Sequence, residues 1–211
     1  MKKRTTCTIT AMILTTALLS GCGARVQVGD VHNANAPSVS QKSGTEGEAL
    51  PDGWTAYDLA AAHASVAFPG EPMEDEGSVD IGKAQVTRIR YVYPGAAPNY
   101  VVYVLNTSEL EESNPMTGGT EEELVQALKD YAEGLASSNG GETTEIETLQ
   151  FHDHTAVNYS MTINLDGDEV NAYAITFPDD HDNLVSLMVT GVESEDAKTF
   201  WQSYISDGGE S

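Results

Sequence analysis

From Val157 to Leu165 every second residue is apolar: Val157, Tyr159, Met161, Ile163 and Leu165 alternate with Asn158, Ser160, Thr162 and Asn164. A period of two puts all five large side chains on one face of an extended chain. The run stops at Asp166-Gly167, a dipeptide suited to the positive φ angles of a tight hairpin turn, and an apolar run resumes from Val170 to Phe177. A chain with this hairpin must build a sheet with a buried face, and its other segments must cover that face.

Those segments fit the requirement. Ser65-Val66-Ala67-Phe68 reads as a strand ended by the turn residues Pro69-Gly70. Residues 84–93 form another, with Gln85, Thr87, Ile89, Tyr91 and Tyr93 on one face. Tyr100 to Leu105 is apolar throughout, as in a central strand covered on both sides, and a further strand spans Leu184 to Val189. Thr120-Glu121-Glu122-Glu123 is a capping box, with acids where the helix dipole favours them. Leu124, Leu128, Tyr131 and Leu135 follow as one helical stripe, which ends over Ser137 to Gly141. Ser194 is placed to cap a last helix carrying Ala197, Phe200, Trp201, Tyr204 and Ile205 towards the core. Hairpins interrupted by two helices predict a single α+β domain, a mainly antiparallel sheet with helices packed on it.

The amino terminus has a different character. Lys2-Lys3-Arg4 precedes an apolar, threonine-rich run from Cys7 to Leu19, which ends in Leu19-Ser20-Gly21-Cys22. The run is short of the ~20 apolar residues that span a bilayer, and its layout is that of a secretory signal. Small residues followed by a cysteine resemble a bacterial lipobox. That resemblance implies cleavage before Cys22, diacylglycerol on its thiol and acylation of the new amine, as in a palmitate-bearing lipoprotein. The expected organisation is a signal peptide over 1–21, lipidated Cys22 with a flexible tether over 22–50, and a globular domain over 51–211. The tether is poor in large apolar side chains and cannot offset its ordering entropy. The protein is therefore expected to be exported and lipid-anchored to a bacterial membrane, in the cell envelope. Two or more acyl chains give stable anchoring, and with Cys7 removed and Cys22 modified no thiol would remain.

Charge narrows the partners. Lys and Arg number 10 against 33 Asp and Glu, a formal net charge of −23; without Lys2, Lys3 and Arg4 the balance is 7 against 33, near −26. Such a polyanion repels phosphate backbones, which excludes nucleic-acid binding. It could instead steer a cationic envelope protein, with an association weakened by salt.

Phe68-Pro69-Gly70-Glu71-Pro72 closing the first strand, a midchain helix and a final aromatic helix with Phe200, Trp201 and Tyr204 together resemble the PsbP-like α/β/α sandwich. The resemblance implies a binding or assembly module and carries no catalytic residues over to this chain. The sequence itself lacks a Gly-x-Ser-x-Gly elbow and a dinucleotide glycine pattern, and its one Gly-x-x-x-x-Gly-Lys, Gly77 to Lys83, is followed by Ala84 where a phosphate loop needs Ser or Thr. The expected function is thus a non-catalytic, lipid-anchored envelope binding or assembly module of unassigned ligand, with no cofactor.

One alternative is a divalent-metal site. His152-Asp153-His154 precedes the strand 155–165, and Asp179-Asp180-His181-Asp182 follows the strand 169–177. In a simple hairpin register, opposed residue numbers sum to about 334, which sets His154 opposite Asp180 and His152 opposite Asp182. In a strand, His152 and His154 would share a face. His152, His154, Asp180 and His181 are then candidate ligands for zinc or nickel, since imidazole with carboxylate suits those ions. Solvated turns at the open end of the hairpin would give the same sequence. Arg88 and Arg90, which share a strand face, either hold a carboxylate or phosphate through forked hydrogen bonds or pair with acids on a neighbouring strand. Trp54, Tyr57, Tyr91, Tyr93 and Tyr100 either line a groove or cover the sheet.

Overall fold

The computed structural model describes residues 50–81, 83–93, 98–111, 114–165, 168–191 and 194–206. Cys22, the signal and nearly all of the tether lie outside the described residues, as do Asp166, Gly167 and the side chain of Ser194. The first strands are β1 (Thr55–Leu59), β2 (Ala64–Phe68), β3 (Met73–Ile81), β4 (Ala84–Tyr93) and β5 (Asn99–Asn106). Two helices follow, α1 (Pro115–Gly118) and α2 (Glu121–Ser138). Then come β6 (Glu142–Phe151), β7 (His154–Leu165), β8 (Asp168–Pro178), β9 (Asn183–Thr190), α3 (Ser194–Gln202) and β10 (Ile205–Ser206). Seven strands make one antiparallel sheet in the order β3-β4-β5-β9-β8-β7-β6, and β1-β2-β10 make a smaller one.

The continuous apolar run becomes β5, at the centre of the large sheet beside β9, and both strands are buried almost throughout. Their side chains alternate between two apolar clusters. Tyr100, Val102 and Val104 with Val185, Leu187 and Val189 face one way, towards Leu59 and Phe68 of the small sheet and Phe200 and Tyr204 near the carboxyl terminus. Val101, Tyr103, Leu105 and Met188 face the other way. There Leu128, Ala132 and Ala136 of α2 pack with Val157, Tyr159, Met161 and Ile163, the alternating face of β7.

Helix α2 starts at the capping box: Thr120 Oγ1 accepts from Glu123 N at 3.3 Å, and Glu123 Oε2 accepts from Thr120 N at 2.9 Å. It ends in a Schellman turn, with Gly140 at φ 72° and Gly141 N donating to Ala136 O at 3.0 Å. Leu165 pairs with Asp168 across the expected turn, and opposed numbers on β7 and β8 sum to 333 as far as Val157 and Thr176. The register thus differs by one residue from the simple expectation, which changes the direct partner of each side chain.

The long edge strands β3 and β6 carry no strand signal in the sequence. Glu74, Asp75, Glu76 and Asp80 punctuate β3, and Glu142, Glu145 and Glu147 punctuate β6. Charges on an edge discourage further strand pairing, and the same charges mask the apolar alternation.

Candidate functional site

Three chain reversals meet at one end of the large sheet: the corner after β1, the β6–β7 turn and the β8–β9 turn. His63, His152, Asp153 and Asp182 have φ of 46°, 47°, 66° and 56°, and they are the non-glycine residues with positive φ among those described. Each such conformation costs on the order of 1–3 kcal/mol and persists only where the surroundings hold it. Phe151 pairs with His154, so β6 and β7 are joined through His152 and Asp153 alone, both at positive φ as a type I′ turn requires.

That turn overturns the expected pairing of the two histidines. His152 lies in the turn and not in a strand, so it shares no strand face with His154. Its ring stands edge-on to Phe151 at 4.4 Å and 5.7 Å from Tyr204. Desolvation against these rings, helped by the neighbouring His154, holds its pKa below the ordinary imidazole value. His154 stacks on Phe177 at 6.1 Å and brings Nε2 to 3.8 Å from Asp180 Oδ2. His181 packs elsewhere, against His63 with ring centroids 4.4 Å apart, and its Nε2 is buried without a hydrogen-bond partner.

Asp179 builds the β8–β9 turn. Its Oδ1 accepts from the backbone N–H of His181 at 2.8 Å and of Asn183 at 2.9 Å. Asn183 Nδ2 donates to Asp179 Oδ2 at 2.9 Å and to Ala61 O at 3.1 Å, which ties this turn to the corner after β1. Of the four candidate ligands, only His154 and Asp180 come together. No group of three or more His, Cys, Asp or Glu able to hold a metal ion occurs among the described residues. His63 was not foreseen at this end, because it lies far off in sequence and carries no periodic signal.

The arginine pair lies on the α2 face of the sheet. Asp75 of β3 stands directly opposite Arg90, and its Oδ2 accepts from Arg90 Nε at 2.7 Å and from Nη2. Cross-strand pairing with an acid therefore accounts for Arg90. Arg88 stands opposite Gly77, where a Cβ would lie 3.2 Å from its Nη2. The same Nη2 is 3.8 Å from Asp75 Oδ1, beyond hydrogen-bonding distance, and Arg88 Nε is buried with no hydrogen-bond partner.

A line of hydroxyls continues from this point. Arg90 hydrogen-bonds Tyr103, and Tyr131 of α2, whose hydroxyl feels the Arg88 charge, hydrogen-bonds Ser186. Ser186 Oγ and Thr176 Oγ1 are 2.7 Å apart, and Thr176 Oγ1 and Tyr159 Oη 3.1 Å. Burial pushes Tyr131 up to about 12 and raises Tyr103 and Tyr159 as well, so all three phenols stay protonated at neutral pH. In the sequence these residues read only as the buried alternation of their strands, and nothing marks the hydroxyls as connected.

The other aromatic residues cover the sheet. Trp54 meets Tyr100 edge-on at 5.0 Å and Tyr57 meets Tyr91 at 6.1 Å, all packed in or against the same apolar cluster.

No family model and no curated protein matches the chain. Among solved structures it is similar to cyanobacterial PsbP (CyanoP) from Synechocystis, with a TM-score of 0.47 and 10% identity over 76% of this chain and 96% of that one. It is also similar to PA94 from Pseudomonas aeruginosa, a protein of unknown function, with a TM-score of 0.34 and 12% identity over 67% of this chain and 85% of the other.

Proposed function

We propose that this chain is an exported, lipid-anchored module of the bacterial cell envelope, built as a PsbP-like sandwich and acting by binding or assembly rather than by catalysis. The observation that carries the reading is the order of features in the first 22 residues: a basic start, a short apolar run, then Leu19-Ser20-Gly21-Cys22. Two further features support it. A polar stretch separates Cys22 from the first described residue, Leu50, long enough to hold a domain clear of a bilayer. The strongly acidic composition keeps a tethered domain soluble and favours cationic partners over nucleic acid. Binding as the mode of action draws on the sequence, which carries no nucleophile elbow, no complete phosphate-loop motif and no dinucleotide motif.

The test is mass spectrometry of the amino-terminal peptide from the chain expressed in a bacterium, together with membrane fractionation. A mature terminus at Cys22 carrying acyl chains is expected, and Cys22→Ser should move the protein out of the membrane fraction. An unmodified Cys22 thiol, or a mature terminus elsewhere, would overturn the anchor.

A further inference from the structure

Arg88 and Arg90 are two residues apart on one face of β4, yet only one is fully engaged. Register decides which. Opposite Arg90 stands Asp75, whose carboxylate takes its fork; opposite Arg88 stands Gly77, which offers no acceptor. In a chain with 33 acidic residues, a carboxylate for Arg88 would be easy to supply. The fold instead leaves Arg88 Nε buried with no acceptor, and gives the guanidinium only a loose ion pair to Asp75 at 3.8 Å and the Tyr103 ring at 6.0 Å. The side chain is 31% exposed, so with Nε buried its opening to solvent lies towards the outer end.

We propose that Arg88 is the seat of a ligand's carboxylate group, which docks across the outer edge of the guanidinium beside Tyr103 and Tyr131. A planar carboxylate matches the parallel N–H donors of a guanidinium; on Arg90 Asp75 uses only Oδ2, which accepts from both Nε and Nη2. Charge selects the class of anion. Two guanidinium groups and one carboxylate leave the cluster at a single positive charge. A monoanionic carboxylate neutralises it, whereas a phosphate dianion would add negative charge to an already acidic domain. Gly77 is part of the seat, because a side chain there would crowd Arg88 Nη2. The inference gives the binding module proposed above a ligand class, and its test does not depend on the anchor.

The full chain, in detergent and labelled with ¹⁵N at arginine, has only Arg4, Arg25, Arg88 and Arg90 to resolve. Sodium acetate is titrated against sodium chloride at equal ionic strength, and inorganic phosphate is run as a separate arm. The Arg88 Nε–H resonance should move saturably with acetate and stay fixed with chloride, while Arg90 stays near its starting position. Arg88→Lys should weaken acetate binding about tenfold, because it keeps the charge and loses the fork. Gly77→Ala should weaken it too. A non-saturating drift shared by all the arginines, no response to acetate, or a response to phosphate alone would each overturn the proposal. Should either variant fail to fold, the wild-type resonance decides alone.

Discussion

Gly134 and Gly141 lie on either side of the end of α2, and alanine at the two positions should have opposite effects. Gly134 sits inside the helix, and a Cβ built there meets nothing within 4 Å. Alanine then gains only the helix propensity that glycine lacks, about 0.5–1 kcal/mol. For a domain of this size 1 kcal/mol shifts the thermal midpoint by roughly 2–4 °C, so Gly134→Ala should raise it by about 1–4 °C. Gly141 is pressed against β7: its Cβ would lie 1.7 Å from the Thr162 carbonyl oxygen, 2.7 Å from that carbonyl carbon and 3.0 Å from Ile163 Cα.

These are backbone atoms and cannot swing aside. The segment is also pinned by the hydrogen bonds of Gly141 N to Ala136 O at 3.0 Å and of Gly140 N to Ser137 O at 3.1 Å. Relieving the overlap means parting α2 from the sheet it covers, at the upper end of the overpacking range or beyond, about 3 kcal/mol or more. Gly141→Ala should therefore lower the midpoint by about 6 °C or more. Far-ultraviolet circular dichroism of the full chain, heated at one fixed pH, measures both. A Gly141→Ala protein within ~0.5 kcal/mol of wild type would refute the close approach of helix end and strand. A destabilised Gly134→Ala protein would mean that this position meets something the fold does not show.

Two other predictions concern the polar interior. Thr176→Val keeps the shape of a fully buried side chain but removes the links to Tyr159 and Ser186, and should cost about 1–3 kcal/mol in urea denaturation with an unchanged slope; wild-type stability would show that the hydroxyl line holds nothing together. His152 has a folded-state pKa below its unfolded value, so the unfolded chain binds more protons in the window between that lowered value and about 6.5. Its contribution is complete above that window and is lost as pH falls through it. His152→Asn, which tolerates the positive φ, should therefore lose less stability than wild type between about pH 7.5 and about pH 5.5. Parallel stability curves for the two proteins would remove His152 from the account.

What could be read in advance was whatever a buried face writes into its sequence. The alternation of β7, the unbroken run of β5 and the stripe and caps of α2 each report burial on a known period, and each forms as expected. Local patterns carry less about elements whose role is to face water or to meet distant segments. The acids that guard β3 as an edge strand also hid it, and with β3 unseen no partner could be assigned to either arginine. The histidine end failed differently. Its residues were noticed, but their arrangement depends on a two-residue turn written as His152-Asp153, where asparagine-glycine is the usual signal, and on a register that differs by one. It also depends on β9 pairing between β5 and β8, which brings the β8–β9 turn back to the corner at Ala61 and His63.

The arginines join the two cases. Composition makes acid pairing the natural fate of both, yet in the β3–β4 register Asp75 falls opposite one and Gly77 opposite the other. A slip of two residues along β3 would exchange their roles, because it keeps every side chain on its own face while moving Asp75 from Arg90 to Arg88. The difference between a hydrogen-bonded pair and a looser ion pair at 3.8 Å is thus set by strand register, which neither charge count nor residue type contains.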